Sequence, residues 1–508
     1  MPVKIKAGGK IVIGLVVFGA LAFGYLRFKD QILPEAKGAA ANSGFSSEKS
    51  GDCVRVGVNT WGGFAGGQYM NGGFKPSKDS RLQKEFGVCA DFIVLDDPAQ
   101  SREAWKAYKV DLLWGTIDAF PTEVAGLAQY EPLALFQVDW SRGGDAIVVR
   151  RGIETAADLK GKTISVAEMT PSHTFLLWML DAAGLTINDV KLDLVASGID
   201  AAAHFKAGQV DAAVVWSPDD QDCITVMKGS KVLTNTKQAT NIIADVLYAK
   251  KSFVDKNREK VTRLVAGWLT GNAELGQSAA KRAEAAKILA AGYGQPEDFC
   301  AIAIDNVRFV TYGDNLDFYG LNPSFRGITG EDLYNKMTGV YQSLGKAPGK
   351  IPNWRVITDA SFIEGLGLAN KPGQESERAA SFERATSQES NAKAVASKPV
   401  SISFPSGSAT LDENAKYIVD DKLVDLAKAF PNNRIRLEGN TDAVGSHSTN
   451  VTLSKARAQA LASYLSKEHG FDIDRFVVVG NGPDKPVCQE STPECYSKNR
   501  RTEFQILE

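Results

Sequence analysis

The sequence predicts a large α/β unit built on parallel sheets, then a compact α+β unit, with one apolar segment ahead of both. Three observations carry this. Short β-branched runs alternate with helical stretches through the first two-thirds of the chain. A polar stretch poor in large apolar residues separates that region from residues 399–508. An uncharged apolar run occupies residues 11–26.

That run reads IVIGLVVFGALAFGYL, with Lys4, Lys6 and Lys10 before it and Arg27 and Lys29 after it. It is shorter than the ~20 residues of a usual span. Lys10 and Arg27 can snorkel, and Tyr25 suits the interface. The expectation is a basic cytoplasmic end (1–10), a transmembrane helix (11–27) and everything after Arg27 outside. A cleaved signal sequence is the alternative, but no small-x-small site directly follows; Ala39-Ala40-Ala41 lies well downstream. Both readings put the bulk of the chain in the periplasm of a Gram-negative envelope, and the first makes it a single-pass inner-membrane protein.

Residues 28–51 are Ala/Gly/Ser-rich and aperiodic, as a linker is. Within 52–369, strands are expected at Val54–Asn59, Phe92–Leu95, Asp111–Trp114, Ala146–Arg150, Thr163–Ala167, Leu192–Ala196 and Asp211–Trp216. Helices are expected at Thr174–Ala183 and Ile199–Ala207, and 253–350 reads as mainly helical. Residues 370–398 read as a flexible linker. In 399–508, strands are expected at Val400–Phe404, Arg434–Glu438, Arg475–Gly480 and Arg501–Leu507. One helix there buries Ala415, Ile418, Val419, Leu423, Leu426, Ala427 and Phe430; the next buries Leu453, Ala456, Ala460, Leu461, Tyr464 and Leu465.

A formal net charge of −2 offers no basic surface for nucleic acid. No cysteine lies at zinc-ligand spacing, so neither metal nor cofactor is expected. An even set of six in an exported chain suggests disulfides, with 15 conceivable pairings. Cys53 and Cys89 each precede a parallel strand, and neighbouring strand starts lie about 5 Å apart. Cys488 and Cys495 flank a short Pro-containing loop. Cys223 and Cys300 pair only by elimination.

The stretch EGNTDAVGSHSTNVTLSKARAQALASYL, with Asn499-Arg500-Arg501-x-Glu503 later, resembles OmpA-type peptidoglycan-binding domains over the whole of 399–508. The resemblance implies that Asp442 and Arg457 grip the diaminopimelate of a stem peptide, with Thr441, Asn450 and Arg501 in support. The chemistry is sound without it. Diaminopimelate carries an ammonium and a carboxylate on one centre, and a carboxylate beside a guanidinium reads both. The family histidine before Thr-Asp is Asn440 here, which removes a titratable group.

The segments VRVGVNTWGGFAGG (54–67), VDLLWGTIDAFP (110–121), GGDAIVVRRGIETAADLKGKTISV (143–166), LLWMLDAAGL (176–185) and AAAHFKAGQVDAAVVWSPD (201–219) resemble solute-binding proteins of nitrate, sulfonate and taurine ABC importers. That implies the two-lobed periplasmic-binding-protein fold, hinged near 139–145 and 240–248. Ligands in such folds sit at the carboxyl ends of parallel strands. The pocket candidates are therefore Asn59, Thr60, Trp61, Trp114, Gly115, Thr116 and Asp118 from one lobe, and Ser172, His173, Thr174, Trp216 and Ser217 from the other. Thr170-Pro171-Ser172 reads as a helix start, which favours anions. Asp118 would repel an anion unless paired, or else caps a helix. The tryptophans pack between lobes if they do not touch ligand.

These observations imply an anchored receptor or sensor for a small anionic or organic solute, held also by peptidoglycan. The alternative is an envelope scaffold whose solute-binding fold engages proteins. A membrane protein complex or an ABC importer is the partner such a chain would serve. The first linker spans roughly 25–30 Å as a coil, which keeps the receptor near the membrane. An ion-driven stator needs an acidic residue in the membrane, and 11–26 has none. Some relatives of the binding fold are enzymes of pyrimidine biosynthesis that use clustered cysteines and histidine. Here those residues are scattered and no nucleophile–base set stands out, so no enzyme is expected.

Overall fold

The computed structural model describes residues 53–402, 404, 405 and 407–508. The expected transmembrane segment and the linker after it lie outside the described residues. No described helix is long and apolar enough to cross a membrane.

The chain first lays down β1 (Val54–Val58), β2 (Ala90–Val94), β3 (Leu112–Thr116) and β4 (Pro132–Ser141). It then crosses to β5 (Asp145–Val149), β6 (Thr163–Ala167), β7 (Lys191–Val195), β8 (Ala212–Trp216) and β9 (Lys231–Asn235). It returns as β10 (Ala244–Lys250) and β11 (Val307–Phe309). The result is two sheets, ordered β11-β4-β10-β3-β1-β2 and β7-β6-β8-β5-β9. β1 runs parallel to β2 and β3, and β6 parallel to β7 and β8. β10 and β5 run antiparallel to their neighbours because each is where the chain enters from the other lobe. The crossovers are residues 142–144 and 236–243, within or beside the two expected hinges.

All seven strands expected before residue 217 are present within two residues. β4, β9, β10 and β11 were not anticipated. β4 is buried along its whole length and carries Gln137 and Asp139 among apolar residues, so no alternation marks it. In the first lobe Phe92 and Phe136 pack edge-on or tilted against Trp268 of the helix Lys251–Gln277, each pair 5.6 Å between centroids.

Cys53 and Cys89 are bridged, with Cα atoms 4.8 Å apart, because Val54 pairs with Ala90 in the next register position. Cys488 and Cys495 are also bridged, 5.3 Å apart. The third pairing is corrected: Cys223 and Cys300 are free, buried thiols. Cys223 packs in the apolar cluster of the second lobe and Cys300 in the main core, so each acts as a small apolar side chain.

The C-terminal sheet is β12 (Ala394–Val400), β13 (Ile435–Asn440), β14 (Phe476–Gly482) and β15 (Thr502–Leu507), ordered β12-β15-β13-β14. The helix from Glu413 runs through a widened turn at Asp420–Val424 to Ala429 and buries the expected stripe, with Ile418 at its edge. The helix His447–His469 buries Ala458, Leu461, Ala462 and Leu465, one register step from the expected alanines: Ala456 is exposed and Ala460 half-buried.

The expected linker 370–398 and the expected strand Val400–Phe404 both differ. The strand is β12, six residues earlier, because Lys398 pairs with Phe504 of β15. It is an edge strand, which is why Pro399 is tolerated. Upstream, Gln374 is buried, accepting from Tyr312 N (2.9 Å) and donating to Leu269 O (3.0 Å). The C-terminal domain also docks on the second lobe: buried Lys398 pairs with Asp181 at 2.7 Å, and Lys393 with Glu154 at 3.4 Å.

Candidate functional site

Two places gather the chemistry. The first is the C-terminal loop after β13. Gly439 lets this strand lie against the helix His447–His469; a Cβ there would come within 2.2 Å of Ser454 O. Three residues on, Asp442 accepts from Val444 N (3.0 Å) and pairs with Arg500 Nη1 (2.7 Å). Arg457 projects from the helix, donates Nε–H to Ser408 O (3.0 Å) and lies 4.9 Å from the Phe404 ring. Burial, then the neighbouring charge of Arg500, lower the Arg457 pKa, and Asp442 partly offsets them. One carboxylate and two guanidiniums thus share a corner, a set that suits a zwitterion with an extra carboxylate.

Asn450 holds the loop, donating Nδ2–H to Val444 O (3.0 Å). Thr441 donates its N–H to Gly482 O (2.8 Å), and its buried hydroxyl has no partner. Arg501 is corrected from a ligand contact to an internal brace: it is buried, and its Nε–H donates to Glu503 Oε1 at 2.9 Å. Arg500 is the partner of Asp442 that sequence reasoning missed. Of two adjacent arginines, the motif alone does not say which one faces outward. Asn440 is buried and accepts from Asn481 Nδ2 at 3.1 Å, so it braces β13 against β14.

The second place is the cleft between the lobes. Trp61, after β1, donates its indole N–H to Asp139 Oδ2 (2.9 Å). Its ring also reaches the mouth of the second lobe, 2.3 Å from where a Cβ on Gly144 would stand. A Cβ on Gly63 would sit 1.4 Å from the same Asp139 oxygen, so only glycine fits there. Asp139 lies opposite Asp245 across the β4–β10 ladder. Asp118 is wholly buried and accepts from Ala244 N (3.3 Å); from the facing lobe, the Thr174 hydroxyl meets Tyr341 OH at 2.8 Å. Asp118 therefore caps no helix; the short turn Phe120–Thr122 has Ala119 at its N-cap. From the second lobe, Ser172 donates to Asp145 Oδ1 (2.6 Å) and accepts from the Trp216 indole (2.8 Å).

Burial pushes Asp118 up to about 7 and both Asp139 and Asp145 up to about 6, while Asp245, buried beside Asp139, rises well above the carboxylate range. None of the ion pairs among the described residues includes any of these carboxylates. Asp118 Oδ2 and Asp139 Oδ1 are buried without a hydrogen-bond partner.

Most of the other candidates are held by contacts outside this cluster. Trp114 donates to Leu95 O (3.0 Å) and stacks under Arg102 at 4.3 Å. Gly115 presses against Tyr248. Thr60 bonds Asp96 at the surface. Ser217 gives its N–H to Gly144 O (2.9 Å). His173 accepts from Met169 N (3.2 Å), and burial holds its pKa at about 4. Asn59 keeps an unpartnered, buried Oδ1, and Thr116 stands beside Asp245 in the ladder. Sequence reasoning missed Asp139, Asp145, Asp245 and Tyr341. The signal was an acid or glutamine inside an apolar run, as in LALFQVDW (133–140) and IIADVLYA (242–249).

Residues 87–279 match the family described as NMT1/THI5 like, and residues 403–500 match the OmpA family. The C-terminal region is 37% identical over 92 residues to the peptidoglycan-binding protein ArfA of Mycobacterium tuberculosis, covering 18% of this chain and 28% of that one. Another stretch is 30% identical over 188 residues to the taurine-binding periplasmic protein of Escherichia coli, covering 36% of this chain and 56% of that one. The chain thus spans about a quarter to about half the length of these relatives. Among solved structures, it is similar to the periplasmic aliphatic sulphonate binding protein SsuA of Escherichia coli (TM-score 0.48, 21% identity, 60% of this chain and 97% of that one). The chain joins an NMT1/THI5-like domain to a C-terminal OmpA-family domain.

Proposed function

We propose that the protein is an inner-membrane-anchored periplasmic receptor. It holds a small solute between its lobes, grips peptidoglycan through its C-terminal domain, and reports cleft occupancy to the wall-bound part. The observation that carries this is the strap between the domains. Arg142, in the first crossover, pairs twice with Glu377 of the strap, at 2.7 and 2.6 Å. Arg308 reaches the same carboxylate at 3.5 Å, and Asp314 accepts from Glu377 N at 2.7 Å. In the second crossover, Asn241 donates its N–H to Ala429 O of the C-terminal domain (3.3 Å). The second crossover thus touches the C-terminal domain directly, and the first touches the strap that leads to it; lobe motion would flex both.

A scaffold with a permanently filled cleft is the competing role, and the burial of the cleft carboxylates favours it. Against it, leaving Asp118 Oδ2 and Asp139 Oδ1 buried and unpartnered costs free energy that an apolar interface would avoid. The wall-binding half of the proposal is tested by cosedimentation of the full chain with isolated sacculi. Asp442→Ala, Arg457→Ala and Arg500→Ala should each lose at least tenfold in retention while keeping the wild-type circular dichroism. Retention unchanged in all three variants would remove this corner from the peptidoglycan site.

A further inference from the structure

The cleft gathers four carboxyl groups, and no salt bridge among the described residues pairs any of them with a base. A helix N-terminus does open into it at Pro171, but Ser172 of its first turn is already bonded to the Asp145 carboxylate. Asp118, Asp139 and Asp245 stand across from it on the first lobe, within electrostatic reach of one another. All four are less than a tenth exposed. A sulfonate or nitrate there would find no basic side chain paired with these carboxyls among the described residues, and any of the four that ionises would repel it.

Two further observations point to what belongs there. Asp118 Oδ2 and Asp139 Oδ1 are fully buried acceptors with no donor. Two indoles border the same space: Trp61, tethered to Asp139, and Trp216, tethered through Ser172 to Asp145 and partly exposed. Carboxylates beside indole faces form the surroundings in which an organic ammonium is stabilised, by charge and by cation–π attraction. A metal ion fits less well, because no three His, Cys, Asp or Glu side chains among the described residues are grouped to hold one.

We propose that the interlobe cleft binds a small organic cation, an alkylammonium seated among Asp118, Asp139, Asp145 and Asp245 and bordered by Trp61 and Trp216. This rests on the reading of the cleft as a solute site and gives that solute its charge class. Burial raises all four carboxyls, so each keeps its proton to a higher pH than a free carboxyl does. An entering cation displaces those protons, so binding tightens as pH rises.

The test is calorimetric titration of the full chain with choline, putrescine, ethanesulfonate and nitrate at pH 5.5 and 8. The expected result is binding of choline or putrescine, at least tenfold tighter at pH 8, with proton release seen as a buffer-dependent heat. Asp118→Asn and Asp145→Asn, on opposite lobes, should each weaken that binding at least tenfold while the unfolding midpoint at pH 8 holds or rises. Binding of ethanesulfonate or nitrate alone, or cation binding that weakens as pH rises or ignores both variants, overturns the cation assignment and leaves the solute site standing. No binding by any of the four overturns both.

Discussion

Asp118 shows what single residues of the cleft do to the protein. Its folded pKa stands near 7 against an ordinary value of 3.8, because burial penalises the charged form. A carboxyl shifted in that direction favours folding fully below about pH 4, and its contribution is lost as pH rises through 7. Asp139, Asp145 and Asp245 shift the same way and face the same space. The ligand-free protein should therefore unfold at a lower temperature at pH 8 than at pH 5.5. Asp118→Asn should flatten that slope and stabilise the pH 8 protein by on the order of 1–4 kcal/mol. A melting series by circular dichroism across that range checks it; identical slopes for both proteins would mean Asp118 is already ionised in the fold. At the corner that holds Asp442 the same scale separates neighbours. Arg500 is about half exposed and pairs with Asp442, whereas Arg501 is buried against Glu503. Arg501→Ala should lower the unfolding midpoint, an effect Arg500→Ala should not show.

At the scale of elements, β13 and the helix His447–His469 place Asp442 and Arg457 in one corner. Their separation depends on Gly439, over which Ser454 O passes. Gly439→Ala should cost about 1–3 kcal/mol through overpacking and weaken sacculus binding as the two elements part. A variant that unfolds and binds as wild type would show that the elements yield without cost. The elements that sequence patterns revealed and those they hid differ for a physical reason. β1, β6 and β8 are short β-branched or apolar runs between helices and were legible. β4 and β10 were not, because each buries an aspartate, Asp139 and Asp245, inside an apolar run where alternation and propensity argue against a strand. The residues that obscured those strands are two of the four carboxyls of the cleft. In the C-terminal domain the motif was explicit, so Asp442, Arg457 and Asn450 were legible. The choice between Arg500 and Arg501 needed the register of β15.

Across the whole molecule, the C-terminal domain is not a loose appendage of the lobes. Lys336 links it to the helix Gly330–Ser343 through Asp425 at 3.4 Å, and Lys428 returns the contact to Asp332 at 3.3 Å. Tyr341 of that helix meets Thr174, beside Asp118 in the cleft. Contacts therefore run from the cleft region through this helix to the C-terminal domain, and the Arg142–Glu377 pair joins the first crossover to the strap. Sequence composition could not show this, because the strap reads as a polar linker until Gln374 and Glu377 find their partners. Coupling between two sites is reciprocal, so what is bound at the wall end should be felt at the hinge. Hydrogen–deuterium exchange of the full chain, with and without a soluble diaminopimelate-containing stem peptide, tests this most directly. Receptor coupling requires altered protection at residues 142–144 and 236–243 in the wild type, and a much smaller change in Glu377→Gln. Peptide-induced protection confined to the loop after β13, with both crossovers unmoved, would mean that the two domains share a chain and nothing more.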